Sequence, residues 1–415
     1  MTKKQFRAQK KYLKKYLSDI QLRAQGFYTV VDDIATVRDI EKFAGEVKGK
    51  YDDIVVLGIG GSSLGTICLR DGLSHMYGKK KKGTPRLHVL DNIDPTMIEE
   101  LEDVITFKKT LFIVISKSGT TPESMSQYFY FRKKLEKAKL SVKKHVVFIT
   151  DPVRGVLREI SLEDGIRVFD IPKNVGGRFS VLTPVGLLPA ALVGVDLRKL
   201  MKGAQDMRDI FFARSFNKNL PFQLAAVQHF LNVKRGKSMN VMMPYANKLH
   251  RFSDWYRQLL AESIGKKKNR KGKTVHTGIT PVNALGATDQ HSQSQLYNEG
   301  PHDKFFIFIA VEKLTKLIRI PNLNPKKEKI AYLKNTSFNE LLDIEREATA
   351  LSYTKSRRPN MTITIAKIDE EYLGQLFMLF EGTTAFLGEF YGIDAFNQPG
   401  VELSKKFTKE SLRNK

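Results

Sequence analysis

From residue 51 onward, short apolar runs rich in β-branched residues alternate with longer stretches of helical pattern, which confines the chain to parallel βαβ units. Parallel neighbours cannot be joined by a tight turn, so each pair needs a crossover, usually a helix. The first five runs fall at 54–57 (IVVL), 87–90 (LHVL), 111–115 (LFIVI), 146–149 (VVFI) and 167–170 (RVFD). Helices are expected between them at 96–104, at 122–139 with Pro122 in its first turn, and at 153–159.

Beyond residue 174 the pattern turns helical through 180–212, and then a second set of strands is expected near 240–243, 305–311 and 361–366. Helical stretches at 221–233, 251–264, 292–297, 338–353 and 370–390 flank or separate them. The expected fold is α/β, with two similar doubly wound domains, each a parallel sheet flanked by helices. The first domain spans 1–195 and includes a basic N-terminal helix; the second spans 196–415. No short-period repeat is present.

Charge and apolar content narrow the function classes. Lys plus Arg number 69 against 44 Asp plus Glu, a net +25, which favours anionic partners. Much of the excess lies in lysine runs at 79–82, 266–273 (KKKNRKGK) and 326–329, which read as solvated loop tips. The first two runs lack the interleaved aromatics of a single-strand-binding surface, so nucleic acid is not an expected partner. The long apolar stretch 185–195 falls short of the ~18 to 20 residues of a membrane span, and no membrane association is expected. The first 17 residues alternate basic and apolar side chains without the apolar core of a secretory signal. A single cysteine, Cys68, excludes an intrachain disulfide, and the expected location is cytoplasmic.

Two loops carry the first functional signal. GIGGSSLG at 58–65 follows the first strand, where glycines let an anion approach bare backbone N–H groups at a helix N-terminus. It also nearly satisfies the dinucleotide pattern GxGxxG, with Ser63 in the third glycine position, and it satisfies GxSxG, with Ser63 where a hydrolase nucleophile would stand. SKSGTTPE at 116–123 follows the third strand and again opens a helix, concentrating hydroxyls and N–H groups suited to a phosphate monoester. Ordinary helix capping is the alternative for this second loop. Two such loops at the carboxyl ends of neighbouring parallel strands converge on one crevice, which points to a sugar-phosphate site.

NVGGRFSV at 174–181 and GEFYGIDAFNQPGVELSK at 388–405 resemble the two signature motifs of the phosphoglucose isomerase family. With the two phosphate loops in the same order, the resemblance covers roughly residues 50 to 410 and fits the short bacterial form. It implies a pair of sugar-isomerase (SIS) domains and reversible isomerisation of glucose 6-phosphate and fructose 6-phosphate through an enediol. That chemistry needs a base able to reach both C1 and C2, a cation for the developing oxyanion, and prior ring opening.

By resemblance, Glu262 in LAESIG is the base and Arg178 stabilises the enediolate. His291 and Lys405 match the pair that opens the pyranose ring, the histidine reaching the site from a neighbouring subunit, which implies a homodimer with shared sites. Gly61, Ser62, Ser116, Lys117, Ser118, Thr121 and Gln398 match positions that bind phosphate and sugar hydroxyls, Lys117 through its backbone N–H. This sequence departs from the longer members in its shorter chain and in the basic segment after Glu262; their Gly-Glu-Pro-Gly context for the base has no literal match here.

His229, His250 and His276 lack zinc-site spacing, so neither metal nor cofactor is expected. Three alternatives stay open on the sequence: a non-catalytic SIS-domain sugar-phosphate sensor, a GxSxG hydrolase, and an isomerase that also takes mannose 6-phosphate.

Overall fold

The computed structural model describes residues 1–79, 83–314, 316–323 and 326–414. Its first sheet comprises β1 (Asp53–Leu57), β2 (Arg86–Leu90), β3 (Thr110–Ile115), β4 (Val146–Thr150) and β5 (Arg167–Asp170). All are parallel, in the order β2-β1-β3-β4-β5. The second sheet contains β6 (Met239–Pro244), followed in the chain by a separate two-stranded hairpin, β7 (Lys266–Lys268) and β8 (Thr274–Thr277). It is completed by β9 (Thr280–Asn283), β10 (Lys304–Val311) and β11 (Asn360–Ile365), in the parallel order β11-β10-β6-β9.

Burial explains why the strands were continuous apolar runs. β1 and β3 are buried along their whole length, because helices cover both faces of a parallel sheet. Successive side chains point to opposite faces, so Ile54, Val56 and Ile113 enter one cluster while Val55, Leu57 and Phe112 enter another. β10 divides in the same way: Phe305, Ile307 and Ile309 join the first cluster, and Phe306 and Phe308 a third. The inward faces of the two sheets thus meet one continuous core, which includes Leu187, Leu200, Phe222, Phe252 and Phe377 from the helices between them.

The tightest helix pair in that core joins Leu197–Phe211 to Glu370–Tyr391. A Cβ at Gly203 would lie 1.9 Å from the carbonyl oxygen of Glu371, and one at Gly374 would lie 2.0 Å from that of Leu200. Only glycine on both helices permits this approach. At the other end of the second helix, Tyr16 of the Lys10–Leu22 helix packs edge-on against Phe390.

Three local differences from the sequence reading have clear causes. The run at 266–273 is a loop tip only in part: residues 266–268 form β7 and 269–273 the turn to β8, with Lys266 paired to Thr277 and only 7% exposed. β9 was not expected; its TPVN sequence is short and contains Pro281, which the sheet accommodates because β9 lies at an edge. The helix expected from 153 is Val156–Asp164 instead, since the Asp151 carboxylate takes the amides of Val153 and Arg154, at 2.9 and 3.2 Å, into a turn of its own. Of the other lysine runs, 326–329 leads, exposed, into a 3₁₀ turn, and 80–82 lies outside the described residues. No helix among the described residues is long and apolar enough to cross a membrane.

Glu381 lies within the Glu370–Tyr391 helix, fully buried, with no hydrogen-bond partner for either carboxyl oxygen among the described residues. Desolvation pushes its pKa well above the ordinary 4.5, so the folded protein holds this carboxyl neutral. In the unfolded chain it ionises above about pH 4.5, and the cost of keeping the proton on folding grows as pH rises from there. Glu381→Gln is expected to raise the melting temperature at neutral pH. The wild-type and variant curves should converge below pH 4.5, as measured by thermal unfolding across a pH series.

Candidate active site

The order of the first sheet reverses direction at β1 and β3, and ligands bind in open α/β sheets outside the carboxyl ends of strands at such a point. Both glycine- and hydroxyl-rich loops lie there. The first forms a short 3₁₀ turn, Gly60–Ser62, before the Leu64–Leu73 helix. Gly61 abuts the GGRF turn so closely that a Cβ would sit 2.3 Å from the carbonyl oxygen of Gly177. Ser62 is partly exposed beside it. Ser63 points inward, fully buried, and donates to the carbonyl of Gly60 at 3.1 Å, an orientation that does not suit a hydrolase nucleophile.

In the second loop, the hydroxyls of Ser116 and Thr121 lie 2.9 Å apart, and the amide of Gly119 donates to Ser116 Oγ at 3.1 Å. Ser118 is exposed and accepts from the amide and hydroxyl of Thr120. Thr121 precedes the Pro122–Lys137 helix yet makes no side-chain cap bond to it. The first-turn amides therefore remain oriented toward the loop, where the helix dipole favours an anion. Lys117 turns its ammonium away, donating to the carbonyls of Lys173 at 2.8 Å and Val175 at 2.7 Å, and burial lowers its pKa. It thereby ties this loop to the strand exit that leads into the GGRF turn.

Arg178, in the 3₁₀ turn Gly177–Phe179, is 4% exposed and surrounded by acceptors. Nε donates to Ser263 Oγ at 2.7 Å, Nη1 to Gln398 Oε1 at 2.8 Å, and Nη2 to the carbonyls of Ala395 at 2.6 Å and Asn397 at 3.1 Å. Glu262 Oε2 stands 3.6 Å from Nη1. Burial lowers the arginine pKa, and Glu262 and Asp394 oppose that shift. The Glu262 side chain retains 31% of its exposure and accepts from Gln258 Nε2 at 3.3 Å. A carboxylate that is open on one side and faces a buried guanidinium on the other can accept a proton from a bound ligand while the cation stabilises the charge left behind.

The fold therefore gathers Gly61, Ser62, Ser116, Lys117, Ser118, Thr121, Arg178, Glu262 and Gln398 around the turns and segments just described. It does not bring His291 or Lys405 to Arg178 or Glu262 within the one chain. His291 is exposed just after the Thr288–Gln290 turn. Lys405 lies on the Glu402–Arg413 helix and pairs with Glu402 at 2.8 Å. Sequence reasoning missed Ser263 and Lys266. Ser263 adjoins Glu262 in LAESIG, which was a usable signal, whereas Lys266 was hidden in a basic run. A separate cavity of about 960 Å³, lined by Arg70, Leu73, His75, Pro85, Val193 and Asn247 among others, contains none of these residues. Among the described residues, no group of three or more His, Cys, Asp or Glu is arranged to hold a metal ion.

Two parallel α/β sheets around a shared helical layer, with paired glycine- and hydroxyl-rich loops at the switch point of the first, define the SIS-type architecture of phosphosugar isomerases. The Phosphoglucose isomerase family matches residues 24–415, and the chain belongs to that family. It is 46% identical over 378 residues to a glucose-6-phosphate isomerase of Carboxydothermus hydrogenoformans, covering 90% of this chain and 81% of that one. A crystal structure of a hypothetical protein from Thermus thermophilus superposes with a TM-score of 0.90 at 33% identity, covering 98% of this chain and 96% of the other. The fold is also shared with a glucose-6-phosphate isomerase from Chlamydia trachomatis, at a TM-score of 0.80 and 24% identity, over 91% of this chain and 73% of that one.

Removing the Arg178 guanidinium would leave Ser263, Gln398 and two main-chain carbonyls without their donor. Ser263 Oγ and the Ala395 carbonyl are buried and would bear their desolvation cost, whereas Asn397 and Gln398 are exposed to water, so Arg178→Met should lower unfolding stability by about 2 to 3 kcal/mol. A shift of the urea midpoint at constant m-value is the measurement.

Proposed function

We propose that this chain interconverts glucose 6-phosphate and fructose 6-phosphate, with Glu262 as the base and Arg178 as the enediolate cation. The observation that carries this reading is the open Glu262 carboxylate 3.6 Å from a buried guanidinium, beside a turn packed against the first phosphate loop. The substrate phosphate sits among Ser116, Ser118, Thr121 and the amides at the head of the Pro122–Lys137 helix, with Gly61 and Ser62 closing the other side. Glu262 takes the C2 proton of the open-chain aldose, Arg178 stabilises the resulting enediolate, the hydroxyl proton passes from O2 to O1, and Glu262 returns its proton to C1 as the C2 carbonyl forms. Gln398, held by Arg178, meets a sugar hydroxyl.

Ring opening falls to His291 and Lys405, supplied with the help of a second copy of the chain. The Glu402–Arg413 helix supports a homodimer: none of its residues is buried, and Leu403 and Phe407 are exposed on the same helix as Lys405. The reaction requires no metal or cofactor, because a carboxylate and a guanidinium supply the proton transfer and the charge stabilisation. A cytoplasmic location fits a substrate of intermediary metabolism and a single buried thiol, Cys68.

A coupled assay from fructose 6-phosphate in the presence of chelator is expected to show turnover; a folded sample inactive on either sugar phosphate would refute the reading. Glu262→Gln keeps the shape but removes the base, so exchange of the transferable carbon-bound proton with solvent deuterium should collapse while sugar phosphate still binds. Exchange at near wild-type rate would assign the base elsewhere.

Thr121→Ala tests the phosphate loop. Loss of one neutral donor to a charged phosphate costs about 1.5 to 3 kcal/mol, so KM should rise roughly ten- to a hundredfold with kcat little changed.

A further inference from the structure

Proton transfer between two adjacent carbons makes the position of one carboxylate decisive, and the end of its helix is where that position is set. The His250–Ile264 helix stops two residues after Glu262, its final main-chain bond running from the Gly265 amide to the Ala261 carbonyl at 3.0 Å. In a continuing helix the Glu262 carbonyl would accept from the amide of residue 266. Here the chain has already turned into β7, and the ammonium of Lys266 donates to that carbonyl in place of its amide.

The lysine is well placed to hold it. Lys266 is 7% exposed, and its strand is paired with β8. The hairpin is fastened at its tip: Arg270 grips the fully buried Glu389 carboxylate with two bonds, 3.0 and 2.9 Å, and its amide donates to the Gly392 carbonyl at 2.9 Å. Arg23 also pairs with Glu389, through the Oε1 that Arg270 Nη1 contacts. The hairpin thus spans the two partners of Arg178, the Glu262–Ser263 helix end and the segment that continues to Ala395 and Gln398.

The charged groups facing the Lys266 ammonium are Glu262 from the helix, Arg178 from the GGRF turn and Asp394 from the segment after the last long helix. Burial, helped by Arg178 and opposed by Asp394 and Glu262, brings its pKa down to about 8. The ammonium is therefore present at neutral pH and is lost as pH rises through that value. A neutral amine is the weaker donor and removes a positive charge beside the base.

We propose that Lys266 is a positioning residue for Glu262, and that loss of its proton loosens this helix end and sets the alkaline limit of turnover. The proposal rests on Glu262 being the base, which the deuterium-exchange experiment on Glu262→Gln decides independently.

The test is the pH profile of kcat for Lys266→Arg and Lys266→Met, with folding verified by thermal unfolding. Arginine stays cationic throughout the range, so in Lys266→Arg the alkaline limb should move up by about one pH unit or more. Lys266→Met should lower kcat at neutral pH by about tenfold or more, with KM within roughly threefold, and should lose the limb near pH 8, as expected for a misplaced but intact base.

Wild-type kcat in Lys266→Met would overturn the proposal, as would a limb unmoved in either variant. If Lys266→Met does not fold, Lys266→Arg alone decides. Failure of the base reading appears in Glu262→Gln; failure of the positioning role appears only in the Lys266 variants, where Glu262 is intact.

Discussion

A single buried guanidinium ties the exit of the first sheet to the end of one helix and to a segment near residue 398. Arg178 emerges from a turn at the exit of the first sheet and donates to Ser263 on one helix and to Ala395, Asn397 and Gln398 near the end of the chain. Its planar fork presents donors in several fixed directions at once, which a lysine could not do. Because the group is desolvated, its bonds to the buried Ser263 and Ala395 are strengthened. The same cation faces the Glu262 carboxylate, so the group that joins these three segments also forms the electrostatic centre of the candidate site.

The layering of the sheets explains why such a centre can exist. Both sheets are covered on both faces, and their inward faces share one core with the helices between them. Helices that start at the carboxyl ends of the strands direct their N-termini toward a common crevice, where free amides favour a phosphate. Lys117 and Gly61 then bring the two loops against the residues flanking Arg178, one through hydrogen bonds to carbonyls 173 and 175, the other by the absence of a side chain. In the proposed reaction, phosphate recognition and proton transfer would thereby be held on one connected set of turns, as a reaction at C1 and C2 of a 6-phosphorylated sugar requires.

The basic hairpin shows how poorly charge alone predicts placement. A run of lysines is normally solvated, yet Lys266 is buried because the adjacent helix ends with an unsatisfied carbonyl that its ammonium can reach. Arg270, a few residues later, is held by a buried carboxylate in the second signature motif. The remaining lysines of the run stay on the outside of the hairpin. One short segment therefore contributes both solvated charge and two of the contacts that order the site.

Much of the fold was readable in the residues themselves, and the reason is local. The strands of a doubly covered parallel sheet must be apolar on both faces, so β1, β3, β4 and β10 stand out as unbroken β-branched or aromatic runs. The two glycine- and hydroxyl-rich loops stood out at strand exits because a tight strand-to-helix turn calls for such residues, and the GGRF turn stood out through its resemblance to a family motif. What the tertiary structure alone decided involves partners distant in sequence. Arg178 meets Gln398 across 220 positions, and β9 became a strand only because an edge of the second sheet was open beside β6. Lys266 lost its solvent, and Glu381 its charge, through burial by elements elsewhere in the chain. Desolvation depends on everything packed around a group, and no local pattern of residues encodes that.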